Sequence, residues 1–139
     1  MKLNVIITLY LLVYLCDCKR KRIGQILSET DNVITDILEH PENKNGDVVF
    51  KDLIFYCRKL IQLTKMVEER NERALMPAKA LYKQGGPKFL DVEIDYDVLQ
   101  KGLDWDEEDV LNMNYVYDKA YAAWIEFSAA YKRNIVWFL

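Results

Sequence analysis

Residues 104–139 have the sequence DWDEEDVLNMNYVYDKAYAAWIEFSAAYKRNIVWFL, from Asp104 to Leu139. The acidic residues at its start suit a helix N-terminus, because an Asp side chain can cap free backbone N–H groups and carboxylates oppose the positive end of the helix dipole. Apolar residues then recur every three or four positions: Val110, Met113, Tyr117, Ala120, Tyr121, Trp124, Phe127, Tyr131 and Ile135. At about 100° per residue they share one face, so the pattern predicts a long amphipathic helix.

This helix has a second, weaker apolar edge, formed by Leu111, Ile125 and Val136, with Tyr115 and Trp137 further round. The polar part that is left is narrow, chiefly Asn112, Lys119, Glu126 and Arg133. A helix so apolar is either central in its bundle or presents a surface to a partner.

Two further long helices are predicted before it. The first, Ile23 to Glu39, turns one set of residues inward and leaves Glu29, Asp31, Asp36 and Glu39 outward; the inward set is Ile26, Leu27, Thr30, Ile34, Ile37 and Leu38. His40-Pro41 ends it. Asp47 then caps a second helix that runs to about Ala74, with these residues inward: Val49, Phe50, Leu53, Ile54, Cys57, Leu60, Ile61, Thr64 and Val67.

A short helix, Ala78 to Gln84, is predicted to stop at Gly85-Gly86-Pro87. The predicted fold is therefore all-α, a small helical bundle of three long helices plus one or two short ones. Residues 19–139 form its single domain. An extended acidic connection precedes the last helix.

That connection, Asp91 to Asp97, alternates acidic and apolar residues. In an extended chain the four carboxylates of Asp91, Glu93, Asp95 and Asp97 lie on one face, opposite Val92, Ile94 and Tyr96. A calcium loop starting at Asp91 would need Gly at its sixth position and Glu at its twelfth, where this chain has Tyr96 and Gly102. We predict a solvated face, with a loose cation site or a contact to a basic partner as alternatives.

The first 18 residues are predicted to be a signal peptide. Lys2 precedes an apolar run from Val5 to Cys16, which would span roughly 20 Å as a helix, short of the ~30 Å membrane core. Cys16 and Cys18 fit a cleavage site, which predicts secretion and no stable membrane span. The basic residues 19–22 favour a retained anchor instead, or a processing site after Arg22.

Cleavage after residue 18 would leave Cys57 as the sole cysteine and exclude an intrachain disulfide. Small extracellular domains commonly depend on disulfides. A protein that passes through the secretory pathway and works in a reducing cytosol, as a delivered effector does, fits this cysteine usage.

The sequence contains no familiar catalytic motif. His40 is the sole histidine, so paired-histidine zinc motifs are excluded, and Cys57 lies within an apolar stripe, which favours a buried hydrophobic role over a Cys57–His40 nucleophile and base. A net charge of −3 argues against nucleic-acid binding. We therefore expect no enzyme activity, no cofactor and no metal.

The leading functional hypothesis is a secreted interaction protein of the effector, virulence or immune-modulator kind. It would bind a host or partner protein through a helix face, the acidic connection or the aromatic residues Trp105, Trp137 and Phe138, since exposed tryptophan often anchors binding. The alternative for these aromatic residues is a tail folded back over the bundle. Two other hypotheses are a homo-oligomeric structural protein that uses the last helix as its seam, and an extracellular carrier whose apolar cavity is lined by Tyr117, Tyr121, Trp124 and Phe127.

Overall fold

The computed structural model describes residues 5–8 and 21–139. From residue 21 onward it contains five α-helices: α1 Ile23–Glu39, α2 Gly46–Glu68, α3 Leu75–Gln84, α4 Tyr96–Leu103 and α5 Glu107–Arg133. Short 3-10 turns occupy Glu72–Ala74, Lys88–Asp91 and Ile135–Phe138. No strand occurs in the described ranges, which confirms the all-α prediction.

Of the predicted signal peptide, only residues 5–8 are described, and they are helical. The predicted cleavage site after residue 18 lies outside the described ranges, as do residues 19 and 20 of the basic run before the predicted processing site at Arg22. Among the described helices, none combines the length and the apolar character needed to cross a membrane.

The start of α5 is fixed by a reciprocal capping box. Asp106 Oδ1 accepts a hydrogen bond from the backbone N–H of Asp109 at 2.8 Å, and Asp109 Oδ2 accepts one from the N–H of Asp106 at 3.0 Å. Acidic residues fill the first turn of α5 and Lys132 and Arg133 lie in its last turn, so both ends complement the helix dipole.

The predicted bounds of α2 were wrong at both ends. Asn45, not Asp47, caps the helix by accepting a hydrogen bond from the N–H of Asp47 at 3.0 Å. The helix ends at Glu68 instead of continuing to Ala74, because Arg70 adopts a left-handed conformation with φ of 52°. The N–H of Asn71 then returns to the carbonyl of Met66 at 2.9 Å, as in a Schellman ending.

Helices α2 and α5 pack side by side in the same direction. At one end, the ring of Trp105, just before α5, stacks on Phe50 of α2 with ring centroids 4.9 Å apart. At the other end, Arg133 of α5 pairs with Glu68 of α2. A short turn reverses the chain between α1 and α2, so α1 runs antiparallel to this pair and closes the core.

The buried side of α2 differs from the predicted stripe. Tyr56 and Leu63 are buried, whereas Ile54 and Ile61 are exposed. The buried residues follow each other at spacings of four and three: Val49, Leu53, Tyr56, Leu60, Leu63 and Val67. Because α1 and α5 flank α2, its buried arc is centred on this row, and Ile54 and Ile61 lie outside it.

Asp31 of α1 was predicted to face solvent, and this prediction was wrong. Its side chain is buried, and its two carboxylate oxygens accept hydrogen bonds from the backbone N–H groups of Lys88 at 2.9 Å and Phe89 at 3.1 Å. These donors open the 3-10 turn after Pro87 and have no acceptor within that turn. Asp31 therefore fastens the connection between α3 and α4 to α1.

Candidate functional site

Trp105 was predicted as an exposed partner anchor, but it is buried. Its ring lies against Phe50 and over the first residue of α2, Gly46. A Cβ atom at Gly46 would fall 2.0 Å from Trp105 Nε1, so only glycine leaves room for the indole. Trp105 is therefore a core residue that joins the starts of α2 and α5.

The aromatic tail folds back over the bundle, which is the alternative considered for these residues. Phe138 is buried and stacks on Tyr131 with centroids 4.2 Å apart, and Tyr131 stacks on Tyr82 of α3 at 4.1 Å. Trp137 is half-buried and packs edge-on against Phe138 at 4.9 Å. Burial removes Trp105 and Phe138 from the candidate partner surface and leaves part of Trp137.

The acidic connection keeps its predicted alternation of exposed acidic and half-buried apolar residues. It is extended only between the 3-10 turn that ends at Asp91 and the helix that begins at Tyr96. Val92, Ile94 and Tyr96 are half-buried, and the carboxylate residues between them are exposed: Asp91, Glu93, Asp95 and Asp97. The α4 helix begins at Tyr96. Asp95 caps this helix, since its Oδ1 accepts hydrogen bonds from the N–H groups of Asp97 at 3.0 Å and Val98 at 3.2 Å.

Two tyrosines attach this connection to α5. The Tyr117 hydroxyl donates to the carbonyl groups of Phe89 and Leu90, at 3.3 and 3.1 Å, and burial raises the pKa of this phenol. Tyr96 donates to Asn114 Oδ1, and its pKa is raised by burial and by the nearby Asp118 carboxylate. Across residues 5–8 and 21–139, no three His, Cys, Asp or Glu side chains are grouped closely enough to hold a metal ion.

The residues proposed to line a ligand cavity are divided between core and surface. Phe127 is fully buried and stacks on the half-buried Trp124 at 5.7 Å. Tyr121 is exposed, and Tyr117 is engaged with the carbonyl groups of the acidic connection. These four side chains therefore do not enclose a common space.

Cys57 and His40 lie at different levels of the bundle. Cys57 lies about 16 Å along α2 from the first residue of that helix. His40 lies in the turn between the end of α1 and the start of α2. Cys57 is half-buried, and burial raises the pKa of its thiol, which disfavours the reactive thiolate. The structure does not bring the two together.

The surface that stands out is the side of α5 opposite the core, here called the outer face. It carries the residues at spacings of four and three along the helix: Leu111, Tyr115, Asp118, Ala122, Ile125 and Ala129. Leu111 is 68% exposed, Tyr115 is 65% exposed and Ile125 is 53% exposed. The second apolar edge predicted from the sequence includes Leu111, Ile125 and Tyr115, so the signal for this face was present in the pattern.

The outer face has charged ends of opposite sign. Glu107, Glu108 and Asp109 form the first turn of α5, and Lys132 and Arg133 lie in its last turn. Between them, the Lys119 ammonium group lies 5.2 Å from the centroid of the Tyr115 ring, a cation–π contact that covers part of that ring.

Comparisons of this chain with protein-family models, with curated proteins and with solved structures give no match.

Proposed function

We propose that this chain is a non-enzymatic protein-binding domain whose contact surface is the outer face of α5. The observation that carries the proposal is the alignment of Leu111, Tyr115 and Ile125, each more than half exposed, along one helix face. Single exposed apolar residues are common on protein surfaces. From Leu111 to Ile125 the row has a mean period of 3.5 residues, which is typical of a helix that packs against another helix.

The energetics favour a protein partner. Fully burying a large apolar side chain contributes about 1.5–3 kcal/mol, so further burial of the exposed parts of Leu111, Tyr115 and Ile125 favours association with a partner helix. Ala122 and Ala129 lie between and beyond them, and these short side chains allow the partner backbone to approach closely. A helix with one apolar side facing its own core and a second facing outward is suited to connect two folded units.

The cellular setting we propose is that of a secreted protein of the effector or immune-modulator kind. This setting is supported by the sequence of residues 1–18 and by Cys57, the sole cysteine after the predicted cleavage. A small domain without a disulfide must be held by its hydrophobic core, and such a fold is stable in a reducing cytosol as well as outside the cell.

Site-specific photo-crosslinking tests the proposed surface. A photoreactive phenylalanine analogue at Ile125 is expected to form covalent adducts with a partner protein in cells that express the full chain. The same analogue at Met76, which is 81% exposed on α3, provides the control position. Adducts at Ile125 but not at Met76 would support the proposal. No adduct at Ile125, or the same adducts at both positions, would overturn it.

A further inference from the structure

We infer that the partner at the outer face of α5 is a second copy of this chain, bound with the two α5 helices antiparallel about a two-fold axis near Asp118. This inference rests on the proposed function and names its partner. It is carried by two independent properties of α5: the order of large and small residues along the outer face, and the opposite charges at its ends.

The residues of the outer face are self-complementary in an antiparallel pair. Leu111 and Ile125 lie seven positions on either side of Asp118, so Leu111 of one copy meets Ile125 of the other. Tyr115 lies three positions before Asp118, and Ala122 lies four positions after it. The Tyr115 ring of one copy therefore meets the Ala122 methyl group of the other. A two-fold axis repeats each contact, and large residues facing small ones interdigitate.

The charges at the ends of α5 select the antiparallel direction. Glu107 lies eleven positions before Asp118 and Lys132 lies fourteen after it, which places them within about 5 Å of the same level in the paired helices. Both side chains are exposed. A lysine side chain reaches across this offset, so each end of the seam gains a Glu107–Lys132 pair, and the two helix dipoles oppose each other favourably. A parallel pair would instead bring the two acidic first turns together.

Two features keep this contact weak. Asp118 faces its own counterpart near the axis, although Lys119 of the other copy lies at almost the same level. The seam from Leu111 to Ala129 is about 27 Å long, which makes the contact small in comparison with the interfaces of permanent dimers. We therefore expect a reversible dimer with a dissociation constant of about 1–100 μM.

Sedimentation velocity of the full chain, over a concentration range that spans this constant, measures the association. The wild-type protein is expected to shift from monomer to dimer as concentration rises. Leu111→Glu and Ile125→Glu each place a carboxylate in the apolar seam and are expected to weaken the dimer by about a hundredfold or more. Met76→Glu changes a still more exposed apolar residue on α3 and is expected to dimerise like the wild type. Far-UV circular dichroism confirms that each variant is folded.

A charge-reversal pair tests the antiparallel arrangement. Glu107→Lys alone and Lys132→Glu alone each create two like-charge pairs across the axis, and each is expected to weaken the dimer by about tenfold at low ionic strength. An equimolar mixture of the two variants forms a mixed dimer in which both end pairs carry opposite charges, so association is expected to return to the wild-type level. In a parallel dimer Glu107 would face Glu107 and Lys132 would face Lys132, so the wild type and each single variant would all carry two like-charge pairs. A parallel dimer therefore predicts that neither single variant weakens association and that the mixture associates more tightly than the wild type.

The outcomes separate this inference from the proposed function. A chain that stays monomeric, and whose Ile125 position crosslinks to a different protein, overturns the inference and leaves the proposed function standing. A chain that stays monomeric and forms no adduct at Ile125 overturns both. A dimer that survives Leu111→Glu and Ile125→Glu uses another surface. A dimer that is lost in those variants but is not weakened by Glu107→Lys or Lys132→Glu has the wrong direction. Either result overturns the inference.

Discussion

The carboxylate of Asp31 accepts a hydrogen bond from the backbone N–H of Phe89 at 3.1 Å, across 58 positions of sequence. The other oxygen of the same carboxylate accepts the N–H of Lys88 at 2.9 Å. Phe89 is fully buried, and its ring meets that of Tyr56 edge-on at 5.0 Å. Asp31 of α1 thus fixes the start of the segment between α3 and α4. That segment places Phe89 in the core and the acidic connection against α5.

Asp31→Asn is expected to destabilise the protein by about 1.5–3 kcal/mol. The amide has one acceptor oxygen where the carboxylate has two, so one buried backbone N–H loses a charge-assisted hydrogen bond. The free energy of unfolding in urea measures the effect. Asp36→Asn is the matched control on the same helix, because Asp36 is exposed and forms a surface pair with Lys44 at 3.0 Å. Equal losses in the two variants would contradict the role given to Asp31.

Tyr56→Phe is expected to leave stability unchanged or to raise it by up to about 1 kcal/mol. The Tyr56 hydroxyl is buried in the core without a hydrogen-bond partner among the described residues, and burial, together with the nearby Asp31 carboxylate, raises the pKa of its phenol. Removing an unsatisfied polar atom removes its desolvation cost and keeps the ring. Urea unfolding measures the change.

A loss of more than about 1 kcal/mol in Tyr56→Phe would show that an ordered water bridges the hydroxyl to a polar neighbour. Tyr82→Phe provides the matched control, because Tyr82 is half-buried and its ring stacks on Tyr131. Removing the Tyr82 hydroxyl shows how much the same chemical change alters the free energy of unfolding at a site that is not fully buried.

Gly46→Ala is expected to destabilise the protein by about 1–3 kcal/mol, although alanine is the better helix former. The added methyl group would overlap Trp105 Nε1, so the indole must leave its place against Phe50. Near-UV circular dichroism, which reports fixed aromatic packing, is expected to lose intensity. Asp47→Ala, a change at an exposed residue of the same first turn, is expected to leave that signal unaltered.

The sequence predicted the all-α fold and the position of α1 well, the bounds of α2 less well, and the contacts between distant segments poorly. The periodicity of residues 23–39 gave the bounds of α1, because the apolar spacing and the break at His40-Pro41 are local signals. For α2, the row with Ile54 and Ile61 and the row with Tyr56 and Leu63 are equally apolar. Only the positions of α1 and α5 decide which row is buried.

The candidate site shows the same division between local and long-range information. The outer face of α5 was visible as a second apolar edge, since it depends on spacing within one helix. The burial of Trp105 depends on Gly46, which lies 59 positions earlier in the sequence. The burial of Asp31 depends on the backbone N–H groups of Lys88 and Phe89, which lie 57 and 58 positions later. Residue type alone therefore left Trp105 as a candidate surface anchor and placed Asp31 in solvent, whereas the structure buries both side chains.

The Glu68–Arg133 pair is expected to make part of the stability depend on pH. Hydrogen bonds from Arg133 and from Asn134, whose Nδ2 donates at 3.1 Å, lower the pKa of Glu68 below its ordinary value of 4.5. A carboxyl group whose pKa is lower in the folded state stabilises the protein above pH 4.5 and loses this contribution as the pH falls through the folded-state pKa. Because the pair is near the surface, the contribution should not exceed about 1 kcal/mol.

Glu68→Gln is therefore expected to lower the melting temperature slightly at pH 7 and to match the wild type below the folded-state pKa, where Glu68 is protonated in both states. Melting temperatures between pH 2 and pH 7 measure this convergence. Glu69→Gln is the control, because the neighbouring Glu69 is exposed and its contact with Lys65, at 3.8 Å, is longer. A constant difference between Glu68→Gln and the wild type at all pH values would indicate that shape, not charge, holds Arg133 and Asn134 against the end of α2.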